Sequence, residues 1–103
     1  MNDNKLAIEK KNIISLFNQK KFNKISKISL KIRSLFEDQT DIVKIIVMSD
    51  LNVKNFIKAE HLLRKVIIKN NTAEFNYILG NTLKIQDKNN EAIIAYKKSI
   101  SLN

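Results

Sequence analysis

The chain has no cysteine, no proline and a single glycine in 103 residues. Without cysteine there is neither a disulfide framework nor a thiolate-ligated metal site. Without proline, and with one glycine, there is almost no turn punctuation, which argues against β-sandwiches and barrels with their many tight turns. Long apolar runs are missing as well: stretches such as Ile45 to Met48 are far too short to span a bilayer. The polar start MNDNKLAIEKKN leads into no leader-like apolar segment. These absences predict a soluble, cytoplasmic protein.

Hydrophobic residues make up 44% of the chain, enough to fold, and the length suits one domain over residues 1–103. Acids are few, 10 against 19 Lys and Arg, for a net charge of +9. The excess is uneven. Residues 1–35 hold nine cations against two acids, and residues 36–103 hold ten against eight. Lys, Ile and Asn are abundant together, as in genomes with codons rich in A and T, so part of the basicity is compositional.

The hydrophobic pattern repeats every three to four residues almost throughout, which is the helical period. Leu6, Ile8, Ile13, Leu16 and Phe17 predict one helix ending near Asn18 and Gln19. Phe22, Ile25, Ile28, Ser29, Ile32, Leu35 and Phe36 predict a second, read as continuous. Thr40 and Asp41 offer an N-cap to a third, which runs through Val43, Ile46 and Val47 to about Leu51. Phe56, Ala59, Leu62, Leu63, Val66 and Ile67 mark a fourth. Thr72 caps a fifth with Phe75, Ile78, Leu79, Leu83 and Ile85, and the break at Asp87 to Asn90 caps a sixth. The expectation is all-α, as three antiparallel hairpins over about residues 5–36, 40–70 and 72–102.

The hairpins repeat. Phe22, Phe56 and Asn89 open the second helices, and Ile25, Ala59 and Ala92 follow three places later, each set 34 and then 33 residues apart. Ser29, Leu63 and Tyr96 keep the spacing, as do Ile32, Val66 and Ser99. Such a period predicts a solenoid whose repeats bury one another's faces.

The last hairpin, with Leu79-Gly80, Ala92, Tyr96 and Ser99 at its fixed offsets, resembles a tetratricopeptide repeat. In that family the glycine place must be small because the paired helix crosses there with its backbone close by. In the middle hairpin Ala59, Leu63 and Val66 fit, while Val47 stands at the glycine place; in the first, Ile13 and Ile25 replace the small residues. The resemblance implies a right-handed superhelical arc that binds a protein or peptide on its concave face. By resemblance the lining comprises Lys10, Ile14 and Phe17, then Lys44, Met48 and Leu51, then Tyr77, Asn81 and Lys84. Asn81 stands where many members hold a peptide backbone, and Lys84, one turn along, is placed to meet a carboxylate. No asparagine occupies the equivalent places in the other repeats, so a full carboxylate clamp is not expected. Tyr77 and Met48 read equally as residues packed on neighbouring helices.

Chemistry has few candidates. His61 is the only histidine, and by its repeat position it faces solvent. Glu37, Asp38 and Asp41 cluster at a hairpin junction, where helix capping accounts for them better than a cation does. One glycine excludes a glycine-rich phosphate loop, and the serines lack a base other than His61. No enzyme, cofactor or metal is expected.

Function is thus expected to be protein binding, with acidic partners favoured by charge. An alternative from the same resemblance is the N-terminal arm of a larger bacterial transferase, since the family's closing proline and a polar capping helix would fall beyond Asn103. Nucleic-acid binding through Lys20, Lys21, Lys24, Lys27 and Lys31 is a third reading. It lacks an aromatic platform.

Overall fold

The computed structural model describes residues 3–103, and every regular element among them is an α-helix. In chain order these are α1 (Asp3–Asn18), α2 (Phe22–Ser26), α3 (Leu30–Ser34), α4 (Thr40–Asn52), α5 (Phe56–Lys69), α6 (Ala73–Ile85) and α7 (Asn89–Leu102). The chain forms two compact units, the first ending at Asn55 and the second spanning Phe56–Asn103. No helix among the described residues is long and apolar enough to cross a membrane.

In the first unit α4 lies against α1 and α2. Ile13, Ile25, Phe36, Ile42, Val43 and Ile46 are fully buried there, and each such side chain contributes about 1.5–3 kcal/mol. In the second unit α6 packs on α5 and on α7. Its core comprises Leu62, Leu63, Val66, Phe75, Leu79 and Leu83, with the small side chains of Ala59, Ala92 and Ala95 also buried.

The continuous helix expected over Phe22 to Phe36 is broken. It stops at Lys27 and restarts at Leu30, with Ser29 extended at φ −62°, ψ 155° and its hydroxyl accepting from the Ile32 amide at 3.2 Å. Serine favours such caps over helix interiors because it offers the backbone a competing partner. The decisive competitor is Arg33. Its Nη2 donates to the Ser26 carbonyl at 2.9 Å and its Nε to the Ile28 carbonyl at 3.2 Å. An unbroken helix would have committed both oxygens to amides four residues on.

Two further expected caps differ. Thr40 is the first residue of α4, preceded by Gln39, which makes no side-chain cap bond; Lys88 at the start of α7 makes none either. Thr72 caps α6 as expected, accepting from the Phe75 amide at 3.1 Å.

The turns after α1, α4 and α6 share one geometry. Lys20, Lys54 and Asp87 take left-handed φ values of 57°, 64° and 61°. The next amides, of Lys21, Asn55 and Lys88, bond back to the Leu16, Asp50 and Leu83 carbonyls at 2.9, 2.7 and 3.0 Å. These are Schellman closures, and they recur at the 34- and 33-residue spacing of the hydrophobic pattern. Glycine is the usual occupant of such a place, because a Cβ costs about 1–2 kcal/mol in the left-handed region. Lys54 is exposed, so Lys54→Gly is expected to stabilise the protein by about 0.5–1 kcal/mol, after allowance for the freer unfolded chain. A thermal melt reads this directly. An unchanged or lower Tm would mean that the lysine stem contributes packing.

Candidate functional site

The five residues that carry the repeat resemblance converge where α6 meets α7. Leu79, Gly80 and Ala92 are buried and Tyr96 and Ser99 half-buried. Ser99 Oγ donates to the Ala73 carbonyl at 2.7 Å, which ties the end of α7 to the start of α6. A Cβ placed on Gly80 would lie 2.6 Å from both Cδ1 and Cε1 of Tyr96. The expectation of a close approach thus needs one correction: the neighbour that requires glycine is an aromatic ring, not the backbone of the crossing helix. That ring is held at its far end, where Tyr96 Oη donates to Asn81 Oδ1 at 2.6 Å, and on its face by Tyr77, whose ring centre lies 5.9 Å away at an angle of 52°.

This arrangement fixes the outward side of α6. Tyr77, Asn81 and Lys84 stand at i, i+4 and i+7, one above the other. Tyr77 touches Tyr96 and is still 55% exposed, so it is both a packing residue and a surface residue. Lys84 is exposed. Asn81 is half-buried with its oxygen taken by Tyr96, which leaves the amide nitrogen as its donor toward a ligand.

The other expected lining residues lie in the first unit. On α4, Lys44 is half-buried and Met48, one turn on, is 55% exposed, so Met48 presents its thioether outward. Lys10 on α1 is half-buried, Ile14 is exposed, and Phe17 is half-buried edge-on to Phe22 at 5.8 Å. Lys20, Lys21, Lys24, Lys27 and Lys31 are all exposed, and so is His61. No group of three His, Cys, Asp or Glu among the described residues is arranged to hold a metal ion.

Two polar constellations escaped the sequence reading. In the first unit Arg33 and Asp50 form a bidentate pair, Nη1 to Oδ2 and Nη2 to Oδ1, both at 2.6 Å, with side chains 3% and 0% exposed. Ser26 Oγ donates to Asp50 Oδ1 at 2.8 Å, and Asn55 Nδ2 donates to Ser26 Oγ at 3.2 Å. In the second unit Glu60 accepts from Arg64 Nε at 2.9 Å, Lys88 Nζ at 2.9 Å and Gln86 Nε2 at 3.0 Å, while Arg64 also reaches Glu91 at 3.1 Å. The signal for both was composition: among 19 cations only Arg33 and Arg64 are arginine, and the guanidinium fork is what binds two acceptors at once.

Burial alone would raise the Glu60 pKa. The hydrogen bonds from Arg64, Lys88 and Gln86, with the Lys88 charge, overcome it and hold the carboxyl at about 2. A carboxyl depressed by folding contributes stability that is full above its unfolded value, near 4.5, and is lost as pH falls toward 2. Glu60→Gln is therefore expected to lower stability at pH 7 by about 1 kcal/mol, the scale of solvated ion pairs, and by clearly less at pH 2.5, where most of the folding-linked depression is already lost. Urea midpoints of the two proteins at both pH values test this. A gap that does not narrow in acid would assign the loss to packing.

The chain matches no protein-family model, no curated protein and no solved structure. The reading of function therefore rests on the residues and their geometry.

Proposed function

We propose that the chain is a non-catalytic protein-interaction module of tetratricopeptide type. Its first helices present their outward faces to a peptide or partner protein. The residues assigned to partner contact are Lys10, Lys44 and Met48 in the first unit and, in the second, Tyr77, Asn81 and Lys84 on α6. The observation that carries the reading is the Gly80–Tyr96–Asn81 assembly, in which a missing Cβ admits an aromatic ring whose hydroxyl orients the asparagine. Orientation of that kind serves recognition, because a pre-set amide loses little entropy on binding. Asn81 then donates to a peptide carbonyl, Lys84 meets a carboxylate and Tyr77 supplies apolar area.

Asn81→Ala with Lys84→Ala is expected to weaken capture of partners from lysate at least tenfold, measured as retention on the immobilised protein. Because Asn81→Ala also removes the bond to Tyr96, Tyr96→Phe is the control: it loses the same bond and keeps the groove side chains, and it should weaken retention only by about two- to threefold, the cost of an amide no longer pre-set. Equal retention by the double variant would end the groove assignment. The five exposed lysines between Lys20 and Lys31 support a second reading, polyanion binding. It predicts affinity that falls steeply with salt, and a flat salt response would dispose of it.

A further inference from the structure

A cleft of about 270 Å³ opens in the second unit between α5 and α7, with α6 as its floor. Ile67, Leu79 and Ala95 form the base, and Ile94, 68% exposed, forms a wall. The space exists because α7 carries Ala95 where α5, 33 residues earlier, carries Leu62. Arg64 closes one end, since its guanidinium bonds Glu60 on its own helix and reaches across to Glu91 on α7. Lys98 stands on the same stripe of α7, two turns beyond Glu91, and pairs with no carboxylate among the described residues. Asn76 lines the floor with its amide nitrogen already donating to Asn71 Oδ1 at 2.7 Å and to the Thr72 carbonyl at 2.8 Å.

We infer that this cleft docks an acidic segment of a partner protein, which inserts a leucine, isoleucine or valine side chain between α5 and α7 and sets a carboxylate against Lys98. The aliphatic base, too small for more than one or two side chains, selects the anchor. Charge selects its neighbours: the second unit holds eight Lys and Arg against four Asp and Glu, a net of +4. Arg64 is already matched by two carboxylates, whereas Lys98 has none among the described residues. A phosphate polymer would satisfy Lys98 and leave the apolar base open to water, and a second copy of a chain at +9 brings the wrong sign. On α6 Asn76 and Leu79 lie well round the helix from Tyr77, Asn81 and Lys84, so this site is separate from the groove proposed above.

The probe is a capped peptide of alternating Glu and Leu, with one control carrying Lys for Glu and another Ala for Leu. Methyl chemical shifts of the full chain are followed on titration. The Glu-Leu peptide should move the Ile67, Leu79 and Ile94 methyls with a dissociation constant of about 1 mM, and both controls should move them at least fivefold less. Ala95→Leu, which fills the cleft, and Lys98→Glu, an exposed substitution that leaves the core untouched, should each weaken binding at least fivefold. Asn81→Ala with Lys84→Ala should leave it unchanged, so that failure here and failure of the groove are separable. The inference is overturned if no methyl moves, if the lysine peptide binds as well, or if the shifts fall only on methyls outside the cleft. Should Ala95→Leu unfold, Lys98→Glu decides alone.

Discussion

Asp50→Asn is expected to cost about 3–5 kcal/mol, enough to unfold most of the first unit at room temperature, since whole small domains are stable by only about 5–15 kcal/mol. The substitution is nearly isosteric, so the loss is electrostatic. It leaves the Arg33 guanidinium buried at 3% exposure with half of its bidentate partner gone. A carboxamide also places a donor where a second acceptor stood, facing Arg33 Nη1 or Nη2. Asp50→Leu with Arg33→Met removes both charges, and such apolar replacements of buried ion pairs are often neutral or stabilising. Urea denaturation of Asp50→Leu, Arg33→Met and the double variant, followed by circular dichroism, gives the coupling between the two sites. A single variant that loses under about 1 kcal/mol would mean that water reaches the pair.

Gly80→Ala should destabilise, although alanine is the better helix former by about 1 kcal/mol. The added methyl cannot be accommodated 2.6 Å from Tyr96 Cδ1 and Cε1, and displacing the ring breaks its bond to Asn81 and its contact with Tyr77. Overpacking costs about 1–3 kcal/mol, for a net loss of about 1–2 kcal/mol; Gly80→Leu should lose more. The informative comparison is a change of sign. In a Tyr96→Ala background the obstruction is gone, and Gly80→Ala should stabilise by about 1 kcal/mol, its bare helix propensity. Calorimetric melts of the four proteins decide the matter. If the alanine has the same sign in both backgrounds, the ring is not what the glycine accommodates.

Helix positions were legible because hydrophobic periodicity reports burial directly. Phe22, Phe56 and Asn89 open helices as the spacing predicts. Illegible was the interruption at Ile28 and Ser29, where a favourable apolar period runs straight through. Its cause is a side chain 17 residues from its partner, and no local pattern encodes that pairing. Gly80 was readable as a close approach, but the identity of the neighbour needed coordinates. Glu60 and Arg64 have the i, i+4 spacing of a helix pair, whereas Lys88 and Gln86 lie more than 25 residues away, where no local pattern reaches. The cleft beside Lys98 left only a trace, an alanine where the preceding repeat has leucine.

The two five-residue helices α2 and α3 are far below the length at which a helix sustains itself in water. Their order depends on Arg33, Ser26 and the carboxylate they share, so residues 22–34 open to solvent exchange whenever that contact loosens, ahead of longer helices such as α6 and α7. Lys24, Lys27 and Lys31 belong to this same segment. A run of positive charge is thereby mounted on two short helices, and how fixed an array an approaching anion meets depends on the Arg33–Asp50 contact that holds them.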